Sequence, residues 1–354
     1  MAQYKKIGVL TSGGDAPGMN CAIRAVTRLA VGRGIEVVGI HNGYQGLIEG
    51  NTRPLCARDV SLIMNRGGTM LYTSRCDEFK TPQGLKKAAD FCQANGIDGI
   101  VAIGGDGTFR GAADLTEYGI PCIGVPGTID NDIVATDSTI GYDTAMNTVV
   151  ELVDKIRDTC ESHARCNVVE VMGREAGDIA IHSALATGAT AVAIKEYHFN
   201  EEALFEKMIT AKKNGKRNFI VVVSEGCGSY FAGSLAEQIE NNTGIKSNYA
   251  RFAHIQRGGS PSLADRVLAT RMGVAAVELL LEGKARQVIA LRGQEIISLD
   301  IFLSQMMDRY SKKKLTDSEL DKEPPEIAKA VRDRVEQLRR YKREMYDMVD
   351  IMSL

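Results

Sequence analysis

Short β-rich runs that end near glycine alternate along this chain with amphipathic stretches, and the alternation limits what the chain can fold into. Ile7-Gly8-Val9-Leu10 reads as a strand, followed by a glycine-rich turn and a helix from about Asn20 to Val31. Ile35 to Ile40 reads as a second strand. Gly99 to Ile103 reads as a third, with glycines after it and a helical stretch near Phe109 to Leu115, and Pro121 to Val125 as a fourth. Strands near Asn167 to Val171, Ala191 to Ile194 and Phe219 to Ser224 each follow a helical stretch. Helices between strands imply right-handed crossovers and parallel sheets, hence an α/β fold. Ligands of such sheets bind outside the carboxyl ends of the strands. The glycines gather there, 36 among 354 residues, above the usual share of roughly 7%.

The length suggests roughly two domains, and 44% apolar residues suffice for large cores. Lys and Arg total 43 against 45 Asp and Glu, a formal net charge of -2. No basic excess or run of like charge points to nucleic acid. No apolar stretch approaches the ~18 residues that suggest a membrane span. Cysteines 21, 56, 76, 92, 122, 160, 166 and 227 show neither Cys-x-x-Cys nor zinc-ligand spacing, which fits free thiols in a reducing compartment. Met1-Ala2-Gln3 runs into the first strand without a signal-peptide pattern, so a cytoplasmic location is expected.

Towards the C-terminus, Leu268, Met272, Ala276 and Leu279 mark the apolar face of a helix from about Ala264 to Gly283. The polar segment Ser311 to Pro325 ends in Pro324-Pro325, where another helix should start. Val331, Val335, Leu338, Tyr341, Met345 and Val349 recur at steps of three or four in it. Such a face packs on its own subunit or serves an oligomer contact.

Five motifs sit at expected strand ends. In Thr11-Ser12-Gly13-Gly14-Asp15-Ala16-Pro17-Gly18-Met19-Asn20, glycines let backbone N–H groups and a helix N-terminus approach an anion. No Gly-Lys-Ser/Thr follows, so it is not a P-loop; an ordinary strand-to-helix turn would read the same way. In Gly104-Gly105-Asp106-Gly107-Thr108, position 110 is Arg, against a dinucleotide fingerprint. An Asp among glycines suits Mg²⁺ beside phosphates, or bonds its own backbone in a turn. Pro126-Gly127-Thr128-Ile129-Asp130-Asn131-Asp132 places two carboxylates after a strand. A carboxylate that accepts a sugar hydroxyl's proton accelerates transfer by roughly 10²–10⁴-fold, although Asx residues are also common in plain turns. Val171-Met172-Gly173-Arg174 and His254-Ile255-Gln256-Arg257-Gly258-Gly259-Ser260 set arginines at strand ends, where they suit phosphate; Arg75 and Arg165 are further candidates.

In this order the motifs resemble the phosphofructokinase family, from Lys6 to about Gly293. Gly-Gly-Asp-Gly-Thr alone is also similar to NAD and diacylglycerol kinases. The resemblance implies two Rossmann-like domains with mainly parallel sheets and an active site in the cleft between them. Residues 1–141 plus 256–306 would form the ATP-binding domain. Residues 142–255 plus 307–354 would form the sugar-phosphate-binding domain with its extended C-terminal helix. The implied reaction moves the γ-phosphoryl of ATP to the 1-hydroxyl of fructose 6-phosphate. Asp130 would be the base, with Thr128 and Asp132 assisting, and Asp106 would hold Mg²⁺. Gly14, Arg75, Cys76, Gly105, Asp106, Gly107 and Thr108 would line the ATP site. Arg75 and Arg174 would neutralise the transferring group, as positioning and electrostatics dominate phosphoryl transfer. Thr128, Ile129, Met172, Gly173, Arg174, Glu225, His254 and Arg257 would hold the sugar phosphate. A homotetramer is implied, with Arg165 reaching the 6-phosphate of a neighbouring subunit.

The pyrophosphate-using branch of the family has Asp where this chain has Gly107 and Lys where it has Gly127, which implies ATP as donor here. The family's other 6-phosphate Arg, six residues before His254, is Asn248 here. Arg251 is an odd number of residues further on and faces the opposite side of a strand unless a bulge intervenes. A lost phosphate pair costs on the order of 1.5–3 kcal/mol. Arg24, Arg28, Arg157 and Lys216 match the family's effector-binding residues, but Thr190 stands for a Glu and Asn214 for a Lys, which implies weak or altered regulation. A pyrophosphate-dependent enzyme, a kinase of another sugar phosphate such as sedoheptulose 7-phosphate, and a non-catalytic sugar-phosphate sensor remain alternatives.

Overall fold

The computed structural model describes residues 4–353, so the Met1-Ala2-Gln3 reading lies outside the described residues. In chain order the strands are β1 (Lys6–Ser12), β2 (Glu36–Ile40), β3 (Thr52–Leu55), β4 (Gly99–Gly104), β5 (Cys122–Pro126), β6 (Cys166–Val171), β7 (Ala191–Ala193), β8 (Phe219–Ser224), β9 (Ser247–Arg251), β10 (Gln287–Arg292) and β11 (Glu295–Asp300). The fold is α/β with mainly parallel sheets, as the alternation implies.

The chain divides into two compact units. The first comprises the chain up to Ile129, Ile133–Asp143 and Arg257–Glu336; the second comprises Asp130–Asp132, Thr144–Gln256 and the chain from Gln337 onward. Residues 307–336, grouped by the sequence reading with the sugar-phosphate region, pack with the first unit. One cause is the buried Arg334, which donates to the Val134 carbonyl at 2.8 Å and pairs with Asp137 at 2.7 Å.

The first unit carries a seven-stranded sheet in the order β11-β10-β5-β4-β1-β2-β3. Its centre is parallel, and β3 and β11 join antiparallel at the edges. β4 and β5 are buried along their whole length, as strands covered on both faces must be, and their near-continuous apolar runs follow from that. Chain order reverses between β1 and β4, whose carboxyl ends lie side by side with Ser12 opposite Gly104. Such a switch point leaves a crevice for a ligand.

The second unit carries a four-stranded parallel sheet in the order β7-β8-β6-β9. The expected C-terminal helix forms over Pro325–Met352, with Val331, Val335 and Val349 buried against their own chain. No helix among the described residues is long and apolar enough to cross a membrane.

Candidate active site

In the first unit, the helix Asp106–Glu117 starts one residue after β4 ends. The first N–H groups of a helix lack intrahelical partners and favour an anion. A side chain on Gly105 or Gly107 would point into open space, with no protein atom within 4 Å. Gly104 differs: a Cβ there would lie 2.3 Å from the Ser12 carbonyl oxygen. The buried Thr108 hydroxyl donates to that same oxygen at 3.0 Å and so ties the turn after β4 to the end of β1. Thr108 therefore fastens the two glycine loops together. Its glycine setting marks the turn in the sequence, but nothing local marks the fastening.

The turn after β1 is supported from the other side. Thr73 donates to the Gly13 carbonyl at 2.7 Å and holds the segment leading to Arg75 and Cys76. Burial pushes the Cys76 thiol up, partly offset by the backbone amides of Phe79 and Glu78. Arg257, expected on the sugar phosphate, donates from Nη1 to the Asp15 carbonyl at 3.2 Å. The same Nη1 would lie 2.5 Å from a Cβ on Gly14.

Asp106 is partly exposed and pairs with Arg110 at 3.0 Å. Among the described residues no group of three or more His, Cys, Asp or Glu could hold a metal ion. A single carboxylate at a helix start does fit Mg²⁺ that arrives on phosphates, since that ion keeps waters and usually takes one or two protein carboxylates.

The segment after β5 is locked before it reaches the acids. Gly127 bridges Ile140 in parallel, the Thr128 N–H donates to the Ile140 carbonyl at 3.1 Å, and the Thr139 hydroxyl donates to the Thr128 carbonyl at 2.6 Å. A Cβ on Gly127 would meet Met19 at 3.1 Å and Ile103 at 3.2 Å. Gly127 is thus constrained by packing against Met19 and Ile103, whereas nothing crowds the exposed Gly107. Ile129 is buried, and Asn131 takes a left-handed φ of 51° between the two acids.

In the second unit, the Asp130 carboxylate is wholly buried and pairs with Arg174 Nε at 3.1 Å. Arg174 follows β6 with a φ of 52°, and Gly173 has 135°. An Arg in the left-handed region persists only where its surroundings over-determine it, which is common at functional sites. Here Glu225 Oε1, after β8, accepts from the Gly173 N–H at 3.1 Å and the Arg174 N–H at 2.8 Å. Met172 donates its N–H to the buried Gln256 side chain at 3.3 Å. Gln256 lies outside the expected site residues; its place in the His254–Ser260 motif, directly before Arg257, is the signal for it.

Two sugar-phosphate candidates, Arg165 and Asn248, are not brought to these residues. His254 is exposed in the short turn Ala253–Arg257 after β9. Arg165 immediately precedes β6, and Asn248 is paired with Asn167 near the start of β9. Both therefore lie on the order of 20 Å from Met172 and Arg174, the length of a six-residue strand. β9 runs in regular register without a bulge, so Arg251 faces away from Asn248; it pairs with Glu170 at 2.6 Å. Of the effector candidates, Thr190 is buried. Lys216 is held below the usual lysine range by burial, then by Lys207 and Arg157.

Residues 6–280 match the phosphofructokinase family. The chain is 52% identical over 297 residues to an ATP-dependent 6-phosphofructokinase of Bacillus pumilus, covering 84% of this chain and 92% of that one. It is 51% identical, with the same coverage, to the Bacillus subtilis protein of that name. Among solved structures, phosphofructokinase from Saccharomyces cerevisiae superposes with a TM-score of 0.83 at 33% identity. That match covers 87% of this chain, which spans about half (46%) of the yeast chain. A pyrophosphate-dependent phosphofructokinase from Marinobacter aquaeolei shares the fold, with a TM-score of 0.75 at 24% identity over 84% of this chain and 83% of that one. The chain belongs to the phosphofructokinase family.

Proposed function

We propose that this protein transfers the γ-phosphoryl of ATP to the 1-hydroxyl of fructose 6-phosphate, giving fructose 1,6-bisphosphate and ADP, a cytoplasmic step of glycolysis. The observation that carries the proposal is the buried Asp130 carboxylate with the Arg174 guanidinium 3.1 Å away. A sugar hydroxyl is a poor nucleophile, and Asp130 takes its proton as the oxygen attacks. Arg174, its head about half exposed, offsets charge on the transferring group. Thr128 and Asp132 assist, and Ile129 serves the sugar-phosphate site. Gly14, Arg75, Cys76, Gly105, Gly107 and Thr108 serve the nucleotide. Asp106 would hold Mg²⁺, which when bound offsets phosphate charge. Met172, Gly173, Glu225, His254 and Arg257 serve the sugar phosphate.

ATP is favoured as donor by the open space at Gly107, where the pyrophosphate branch would carry an Asp, and by the name of the Bacillus relatives. The position of Arg165 and Asn248, away from Arg174 in their own chain, fits a homo-oligomer, most simply a tetramer, in which they serve a neighbour's 6-phosphate.

The test is an assay of purified protein with ATP or pyrophosphate against a panel of sugar phosphates that includes sedoheptulose 7-phosphate. ATP with fructose 6-phosphate is expected to be the best pair, and Asp130→Asn to lower kcat by roughly 10²–10⁴-fold. Faster turnover on pyrophosphate, or near wild-type turnover by Asp130→Asn, would overturn the proposal.

A further inference from the structure

The loop that carries Arg174 is held at both ends by carboxylates. Glu225 holds its start, as described. At its far end the Gly177 N–H donates to Glu196 Oε1 at 2.9 Å. That oxygen also accepts from Lys342 Nζ at 2.9 Å, and the same ammonium donates to Asp178 Oδ2 at 2.6 Å. Lys342 sits on the C-terminal helix, beyond residue 280, where the family match ends.

The three side chains are largely withdrawn from water, at 21% exposure for Lys342, 16% for Asp178 and 27% for Glu196. Burial alone would weaken the hold of Lys342 on its proton, but the two carboxylates outweigh it and keep the pKa above the ordinary lysine value. The ammonium is thus a permanent cation in a poorly hydrated place. Its removal would leave two carboxylates facing each other without a counter-charge.

The loop between these anchors has little slack. The Ala176 N–H donates to the Gly173 carbonyl at 2.9 Å and closes a turn around Arg174. A Cβ on Gly177 would lie 2.6 Å from Ile194, and one on Gly226 would lie 2.5 Å from the Arg174 carbonyl oxygen. A shift at Gly177 therefore reaches Arg174 through a closed turn rather than being absorbed on the way. Arg174 is already in a backbone conformation that its surroundings must enforce.

We propose that Lys342 is a positioning residue for phosphoryl transfer, which acts through Glu196 and Asp178 to fix loop 172–178 and keep the Arg174 guanidinium at the Asp130 carboxylate. The proposal rests on the roles given above to Arg174 and Asp130. It assigns the C-terminal helix a part in the reaction chemistry rather than in stability alone.

Two measurements on the full chain test it. The first is hydrogen exchange without substrate. Lys342→Met should speed exchange at the Gly177 and Arg174 amides by about tenfold, leave β8 unchanged and be largely reversed in Lys342→Arg. Wild-type exchange at the loop in Lys342→Met overturns the proposal.

The second is a kinetic cycle. Lys342→Met should lower kcat about tenfold, because a misplaced group costs up to roughly 10²-fold, with the KM for ATP little changed. In an Arg174→Ala background the same change should cost less than about twofold, since the group it positions is gone. An equal loss in both backgrounds would mark Lys342 as a general structural support and overturn the proposal. Should Lys342→Met fail to fold, Glu196→Gln reads the same link, because it keeps an acceptor for Gly177 but removes the charge that faces Lys342. A wild-type chain inactive on fructose 6-phosphate would remove the role of Arg174, and with it the catalytic half of the proposal. Exchange would still decide whether Lys342 holds the loop.

Discussion

The turn after β4 and the loop after β6 both leave a parallel strand at its carboxyl end, and they keep their shapes by different means. The first is shaped by missing side chains: Gly104 lets the backbone of β1 approach, and one buried Thr108 hydroxyl fastens the contact. The second is shaped by charge, with Glu225 at one end and Glu196, Asp178 and Lys342 at the other. The first is tied to one backbone carbonyl, that of Ser12, 96 positions from Thr108, whereas the second depends on several charged side chains up to 168 positions apart: Arg174 and Lys342 are numbered 342 − 174 apart. Damage to the first should appear as lost stability or donor choice, and damage to the second as lost turnover.

The sharpest way to break this contrast is Arg174→Ala. It should lower kcat roughly 10²–10³-fold, the range for removing a preorganised charge-stabilising donor. Some fall in melting temperature should accompany it, because the wholly buried Asp130 carboxylate loses this partner, but the loss of turnover should be the larger effect. Thr108→Val should do the reverse. It strands the buried Ser12 carbonyl and should cost about 1–3 kcal/mol in urea unfolding, with a smaller effect on turnover. A Thr108→Val enzyme of normal stability would end the idea that this hydroxyl fastens the loops. Gly107→Asp comes next. Its carboxylate would enter the open space and should raise the KM for ATP about tenfold, equivalent to about 1.4 kcal/mol, and leave the KM for fructose 6-phosphate alone. The smallest effect is expected from Asn248→Arg. Restored at an exposed position, the cation should lower the KM for fructose 6-phosphate by no more than roughly fivefold, in line with about 0.2–1 kcal/mol for an exposed ion pair. The effect should disappear under dilution that dissociates the oligomer.

The same contrast explains what could be read from the sequence. β1, β4, β5, β6 and β8 were visible because burial on both faces imposes apolar runs, and their glycine-marked ends follow from the backbone's close approach. Asp130 and Asp106 stood out as acids at those ends. β9 carries no strand pattern of its own: Ser247-Asn248-Tyr249-Ala250-Arg251 lies at a sheet edge, largely exposed, so no apolar periodicity is imposed on it. β3 escaped as well, being four residues long and largely exposed, and so did β11, which follows β10 with no helix between them to announce it. The C-terminal helix was legible as a helix, but its division between two units was not. The 3.6-residue pattern shows that a face is buried and says nothing about what buries it. Lys342 looked like any lysine on a charged surface, because the carboxylates that define it are brought to it only by folding.

The contact between Arg257 and Gly14 bears on how variants of this protein will be interpreted. The guanidinium end is flexible, so a methyl group at position 14 would push it aside rather than be refused. With the roles proposed above for Gly14 and Arg257, a change in the nucleotide loop would then emerge in kinetics as a weakened grip on the sugar phosphate. Selections for altered donor use would record position 14 as an acceptor determinant, and compensating changes would surface at position 257. Libraries that vary the two positions together would separate effects that single substitutions confound.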